Sequence, residues 1–210
     1  MKDAKTIIIG ELFTHKILWE CCELNFQAAE KANAEKPGPV YYELTAMLMA
    51  YLTYEAYINF LGDRVAPEVW KTERVFFNTD PYRGIAGKLR KISEVCDIRN
   101  LNKGERPYQT INELCKLRDY LSHGKTDKYE VEIAHSRTDN PSLFQSSLLE
   151  LVTPETMKRA LEDVKTFIDF LHLRAAPYVK DSMFGDKPLE GIIEHSAGDT
   201  SRNSEYLISA

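Results

Sequence analysis

The chain has 210 residues, enough for one sizeable hydrophobic core, and its hydrophobic fraction of 43% and charged fraction of 28% are ordinary for a soluble globular protein. A net charge of −5 argues against a general nucleic-acid coat protein. No apolar run approaches the roughly 20 residues of a membrane-spanning helix, and Ile7–Ile9 is too short for the core of a signal peptide. We therefore expect a cytoplasmic protein without a membrane partner.

The first half of the chain has the hydrophobic periodicity of two long helices. The first helix should end near the Pro-Gly-Pro run at 37–39, and the second should run from about Val40 to Leu61 and stop at Gly62. The stretch from Val65 to Arg83 reads as irregular. The stripe that predicts the buried face of the first helix consists of Phe13, Ile17, Cys21, Leu24 and Ala28.

Three further helices are expected after Arg83. One should run from Gly84 to about Val95, and another should carry Pro107 in its first turn and end at Gly124. The triplet at 153–155, Thr-Pro-Glu, provides an N-cap, a proline for the first turn and an acidic residue for a long final helix. The core stripe predicted for that helix is Met157, Leu161, Val164, Ile168 and Leu171.

Two segments interrupt the helical pattern. Within an insertion at 126–152, apolar and polar residues alternate from Lys128 to Ile133, as in a short strand. Residues 177–210 form a looser C-terminal extension, and Ser196 to Asn203 has the composition of a mobile tail. The resulting prediction is an all-α bundle of four or five mainly antiparallel helices over residues 1–176, with a short β-like insertion.

The most informative local motif lies at the end of the predicted helix that precedes Gly124. Arg118 is a permanent cation, and His123, five residues later, is a side chain that titrates near neutral pH. A guanidinium can clamp phosphate oxygens while an imidazole moves a proton, so the two together suit phosphodiester chemistry without a metal. On an ideal helix they differ by about 140°, so they converge only if the last turn unwinds or two copies of the helix meet.

Neighbouring polar residues extend this motif. Arg118 falls in the apolar sector of its helix, where it needs a partner or an opening onto a cleft. Asp119 is four residues before His123 and can orient the imidazole, and Ser122 is four residues after Arg118. The four cysteines, Cys21, Cys22, Cys96 and Cys115, lack metal-site spacing and are expected to be buried thiols.

The charge around the motif differs from that of the rest of the chain. From Arg83 to Lys128 there are eleven basic and six acidic residues, a local net charge of +5, while the remainder carries −10. Such a segment is either a solvated basic face or a surface for a phosphate-rich partner such as RNA. The residues that we assign to RNA binding on this basis are Lys88, Arg90, Lys91, Lys116 and Lys125.

At residues 118–123, Arg-Asp-Tyr-Leu-Ser-His, the chain resembles the HEPN family of helical domains, whose motif is Arg, a polar residue, three variable residues and His near the end of a late bundle helix. Asp119 stands where the family most often has Asn. The resemblance extends to residues 54–59, Tyr-Glu-Ala-Tyr-Ile-Asn, which resemble the Glu-Ala…Asn stretch of many members, and it covers roughly residues 12–171.

This resemblance implies a homodimer whose two motifs face one another in a basic cleft. Many such proteins are metal-independent endoribonucleases without a cofactor, often toxins or defence effectors, and a toxin implies an antitoxin protein as a partner. By that analogy His123 would activate the ribose 2′-hydroxyl or protonate the leaving 5′-oxygen, and Arg118 would stabilise the transition state. Asp119 would orient His123, and Ser122 would add a hydrogen bond.

Other interpretations of the same residues stay open. Arg118 can form a buried strut with Glu55 of the second helix, and His123 can simply be a helix-ending residue that the macrodipole favours. Residues 84–88, Gly-Ile-Ala-Gly-Lys, have a G-x-x-G spacing that can hold a phosphate at a helix N-terminus. The alternative function is a catalytically silent HEPN-like dimer that binds a partner protein or a nucleotide.

Overall fold

The computed structural model describes residues 6–35, 40–99, 101–124, 151–180, 184–191, 193–199 and 204–208. This part of the chain is mostly helical, as predicted, and the described helices include five long ones. The helices are α1 (Thr14–Glu35), α2 (Tyr41–Val65), α3 (Pro67–Trp70), α4 (Glu73–Phe76), α5 (Gly84–Val95), α6 (Tyr108–His123) and α7 (Pro154–Ala175), followed by a 3₁₀ turn at Ala176–Tyr178. Within these ranges, none of the helices combines the length and apolar character needed to cross a membrane.

Helix α2 is the centre of the bundle and contacts α1, α5, α6 and α7. Helices α1 and α2 run antiparallel, as two contacts show. Asn33 near the end of α1 donates to Glu43 near the start of α2 at 2.7 Å, and His15 near the start of α1 packs on Phe60 near the end of α2. Helices α6 and α7 are also antiparallel, whereas α2 and α7 are parallel. The predominance of antiparallel neighbours agrees with the sequence-based expectation.

The buried face of α1 differs from the predicted one. Of the predicted core stripe, Phe13 is buried as expected, but Leu24 is 64% exposed, and Ile17, Cys21 and Ala28 are half-buried. The residues of α1 that enter the core are His15, Trp19, Cys22 and Ala29. The prediction was wrong because α1 carries apolar residues on two sides, and packing against α2 and α7 selects between them.

Helix α2 continues past its predicted stop at Gly62 and ends at Val65. Gly62 permits close packing, because a Cβ atom there would lie 1.9 Å from the ring of Trp70 on α3. The stretch predicted to be irregular after α2 contains the two one-turn helices α3 and α4. The glycine therefore serves packing rather than helix termination.

Local capping signals at two other helix ends are confirmed. Gly124 ends α6 with φ +55°, and its N–H donates to the Leu121 carbonyl. Thr153 caps α7 in a capping box with Thr156, and Pro154 occupies the first turn. All five residues of the predicted α7 core stripe are buried. Helix α6 therefore has a defined C-terminal end, and the helix it packs against, α7, is firmly buried in the core.

A small sheet, not predicted from the sequence, joins the two ends of the chain. Its strands are β1 (Thr6–Leu12), β2 (Ile193–Asp199) and β3 (Ser204–Ile208), antiparallel in the order β1-β2-β3, with Thr6 opposite Asp199 and Leu12 opposite Ile193. The expectation of a loose tail is therefore wrong for residues 196–199. The predicted β-like insertion lies outside the described residues, except for its last two positions.

Candidate functional site

Arg118 of α6 is the centre of a charge network that links α6 to α2. Its Nη2 donates to Glu55 Oε1 at 2.5 Å, and its Nη1 donates to Asp119 Oδ1 at 2.8 Å. The Arg118 side chain is 33% exposed, so it is neither fully buried nor freely solvated. The strut between Arg118 and Glu55 that the sequence left open is present, and it leaves part of the guanidinium at the surface.

Tyr51 of α2 contacts both members of the Arg118–Glu55 pair. The Arg118 guanidinium lies 5.4 Å from the centre of the Tyr51 ring, and the Tyr51 hydroxyl donates to Glu55 Oε1 at 3.2 Å. Burial lowers the pKa of Arg118, but the hydrogen bond and charge of Glu55 raise it by more, so the pKa is above its ordinary value. Sequence reasoning missed Tyr51, although its place four residues before Glu55 puts both on one face of α2.

Asp119 contacts a different partner from the expected one. Its carboxylate accepts from Arg118, and among the described residues it forms no hydrogen bond with His123. His123 and Ser122 are exposed in the last turn of α6, and neither side chain has a hydrogen-bond partner in the described part of the chain. The expectation that Asp119 pairs with His123 is therefore wrong for the described residues: in this structure Asp119 positions Arg118.

A shallow cavity of about 350 Å³ lies next to this network. Glu55 forms part of its wall, and so does Asn59 one turn later on α2; Arg74 and Lys88 supply cations. Lys88 donates to Asn59 at 2.7 Å and to Glu73 at 3.1 Å, and its side chain is only 17% exposed. The cavity thus joins the Glu-Ala…Asn stretch of α2 to the start of α5.

The other predicted RNA-binding residues have different environments. Arg90 pairs with Glu94 at 3.1 Å and lies near the ring of Tyr82, and Lys91 is half-buried near the same ring. Lys116 is exposed on α6, and Lys125 lies outside the described residues. Within the described residues, several cations of the 83–128 segment are held in ion pairs rather than displayed on one open face: Lys88, Arg90, Arg99, Arg106 and Arg118.

The G-x-x-G spacing at the start of α5 has a packing explanation. A Cβ atom at Gly87 would lie 1.8 Å from the Tyr82 carbonyl oxygen, so a glycine is required where the helix approaches the preceding turn. Gly84 has φ +65°, a conformation that favours glycine. The two glycines are thus explained without a bound phosphate.

The remaining aromatic and thiol side chains belong largely to the core. Trp19, Trp70 and Phe77 are buried, and Phe76 packs against the core cluster. Of the four free thiols, Cys22 and Cys96 are buried and the other two are half-buried. Burial raises the pKa of Cys22 to about 12. Among the described residues, no group of three or more His, Cys, Asp or Glu side chains is arranged to hold a metal ion.

A second polar cluster lies in the core on another face of α2. The Tyr57 hydroxyl is 2.9 Å from His172 Nδ1, and His172 Nε2 is 2.9 Å from the Gly185 carbonyl oxygen. Because a carbonyl only accepts, Nε2 carries the proton and Nδ1 accepts from Tyr57. His172 stacks on Phe184 at 4.0 Å, and His15 meets the Tyr57 ring edge-on. This cluster binds the segment after α7 to the bundle.

Comparison of the chain with protein-family models, curated proteins and solved structures gave no match.

Proposed function

We propose that this chain is a metal-independent endoribonuclease of the HEPN type, a homodimer that cleaves RNA at a site formed by two copies of α6. The observation that carries the proposal is the setting of Arg118. Glu55 and Tyr51 of α2 hold the guanidinium in place while a third of the side chain stays exposed. A preorganised, accessible guanidinium is suited to stabilising charge on a phosphate in a transition state.

His123 is the proton-transfer group in this proposal. It lies in the last turn of α6, is exposed, and has no hydrogen-bond partner among the described residues that would restrict its ring. The imidazole of one copy takes the proton of the ribose 2′-hydroxyl, whose oxygen then attacks the phosphorus. The bond from phosphorus to the 5′-oxygen breaks, and an imidazolium of the second copy protonates that oxygen. The products are a 2′,3′-cyclic phosphate and a 5′-hydroxyl.

The dimer answers the geometric problem of the motif. Arg118 and His123 differ by about 140° around α6, and α6 stays helical to His123. The last turn does not unwind, so one of the two routes to convergence is closed. A symmetric contact between two α6 ends is the other route, because Arg118 of one copy can then face His123 of the other.

The test is cleavage of structured and unstructured RNAs in the presence of EDTA. We expect cyclic-phosphate products from the parent protein and a loss of at least about a hundredfold in rate for Arg118→Ala and His123→Ala. Arg99→Ala is the matched control, because Arg99 is an exposed arginine paired with Asp97 outside the site. Full activity in the two site variants, or no cleavage by the parent, would contradict the proposal.

One observation favours the alternative, a catalytically silent HEPN-like dimer that binds a nucleotide or a partner protein. Two carboxylates, Glu55 and Asp119, contact Arg118, so the local group carries a net charge of −1 rather than the positive charge that attracts a phosphate. That alternative predicts saturable binding of a ligand without RNA turnover. A toxin role, with an antitoxin protein as partner, belongs to the nuclease proposal.

A further inference from the structure

Asp119 has two potential partners on α6, and the structure shows it with one of them. Its carboxylate accepts from Arg118 Nη1 at 2.8 Å. His123 is four residues later, so its Cβ atom lies about 6 Å from that of Asp119 on the same side of the helix. One short side chain therefore has a guanidinium on one side and an imidazole on the other, and rotation of the carboxylate changes which of the two it contacts.

The two carboxylates that hold Arg118 are not equally easy to displace. The Glu55 side chain is 24% exposed and also accepts from the Tyr51 hydroxyl, while the Asp119 side chain is 51% exposed and accepts from Arg118. A ligand oxygen that approaches the exposed part of Arg118 therefore competes with Asp119 for Nη1 and leaves the Glu55 contact intact. A phosphate is such a ligand, since it forms charge-assisted hydrogen bonds with a guanidinium.

We propose that Asp119 changes partner when RNA binds: a phosphate oxygen replaces the Asp119 carboxylate at Arg118, and that carboxylate moves to the His123 imidazole. This inference rests on the proposed nuclease function and assigns Asp119 as a positioning residue. In the free protein Asp119 neutralises Arg118. In the RNA complex it orients His123 and stabilises the imidazolium that forms during proton transfer.

The surroundings of His123 leave Asp119 as its local carboxylate. On α6, Arg118 is the nearest cation, and Glu55 of α2 reaches Arg118 rather than His123. No charged side chain of another described element forms a hydrogen bond or ion pair with His123. The carboxylate of Asp119 therefore moves from Arg118 to His123 without competition. Among the described residues, no other acidic side chain contacts a ring nitrogen of His123.

The variant Asp119→Asn separates the two roles, because they predict changes of opposite sign. Removing the competing charge should tighten binding of a non-cleavable 2′-deoxy oligonucleotide by about threefold to tenfold. Removing the partner of the imidazolium should lower kcat on the matching RNA by about tenfold or more. A side chain that only maintains the fold would not tighten binding while slowing turnover.

Asp97→Asn is the matched control. Asp97 also pairs with an arginine, Arg99, at 2.7 Å on the surface, and its replacement changes the net charge of the protein by the same amount. We expect no more than a small change in affinity and rate for this variant. Tighter binding in both variants would show a general charge effect and would overturn the assignment of Asp119, as would an unchanged or higher kcat in Asp119→Asn.

A second measurement distinguishes failure of the exchange from failure of the nuclease proposal. Addition of the 2′-deoxy oligonucleotide should raise the pH midpoint of the His123 imidazole resonances in NMR, and should raise it less in Asp119→Asn. Equal movement in both proteins, with RNA cleavage present, overturns only the exchange. The expected difference without cleavage supports the exchange and overturns the nuclease. An oligonucleotide that does not bind, together with no cleavage of RNA, overturns both.

Discussion

Helix α2 places a tyrosine next to titratable side chains twice, with opposite results. Tyr51 faces Arg118 and Glu55 at the surface, and Tyr57, about 120° further round the helix, faces two histidines in the core. At the first position the charges are retained and partly accessible. At the second position His15 is 2% exposed, His172 is 6% exposed, and burial lowers the pKa of both.

The difference shows how burial separates a candidate site from a structural cluster. His172 donates to one group and accepts from another, so both ring nitrogens are used and the ring is enclosed by Phe184. His123 has neither hydrogen-bond partners within the described chain nor a covering side chain among the aromatic contacts of that chain. A histidine fixed in a core stabilises the fold, whereas an exposed histidine on the same helix as a held guanidinium is available to a ligand.

The largest expected effect comes from replacing each of these histidines in turn by alanine. His172→Ala should lower the free energy of unfolding by about 4 kcal/mol, because it removes a buried aromatic contact and leaves the Tyr57 hydroxyl without its acceptor. His123→Ala should change that free energy by less than about 0.5 kcal/mol, because the residue is exposed. Urea denaturation of both variants measures the difference, and similar losses would contradict the distinction between the two regions.

The pH dependence of stability should come from the buried cluster. Burial first, and then the charge of Lys16, lower the pKa of His15 from 6.5 to about 4. The unfolded chain therefore takes up a proton that the folded chain excludes, so stability is complete above pH 6.5 and is lost as the pH falls toward 4. The shift corresponds to about 3 kcal/mol at the lower limit, and the lowered pKa of His172 acts in the same direction.

Denaturation at several pH values between 7 and 4 tests this expectation. His15→Phe keeps a buried ring and removes the titrating group, so its stability should fall less than that of the parent over the same range. Parallel curves for the two proteins would mean that other groups, chiefly carboxylates, cause the acid sensitivity.

The sequence predicted best those features that depend on near neighbours. The cap at Thr153, the stop at Gly124 and the α7 core stripe follow from residues within one or two turns. The Arg118–Glu55 pair could also be anticipated, because each residue interrupts an apolar stripe and needs a compensating charge. Such features are set by local hydrogen bonding and by helix periodicity.

The features that were missed depend on distant parts of the chain. Strand β1 forms its ladder with β2, more than 180 residues later, and nothing local indicates that pairing. The sequence predicts a helix stop at Gly62, because the contact between Gly62 and Trp70 forms only where the chain turns back. The partner of Asp119 could not be predicted because helix geometry allows both Arg118 and His123 as neighbours.

The smallest expected effect tests how much the surface network contributes to stability. Glu55→Gln removes one carboxylate from the half-buried Arg118 and should lower the free energy of unfolding by about 1 kcal/mol, a value reduced by the partial exposure of both side chains. Glu113→Gln is the matched control, since Glu113 on α6 pairs with Arg159 of α7 at 3.0 Å and is 45% exposed. This second substitution should lower the free energy of unfolding by less than about 0.5 kcal/mol, because an exposed pair is screened by solvent.

Equal losses in urea denaturation would mean that Glu55 acts as an ordinary surface partner. A larger loss for Glu55, together with retained helicity, would show that α2 holds Arg118 in place, as the proposed site requires.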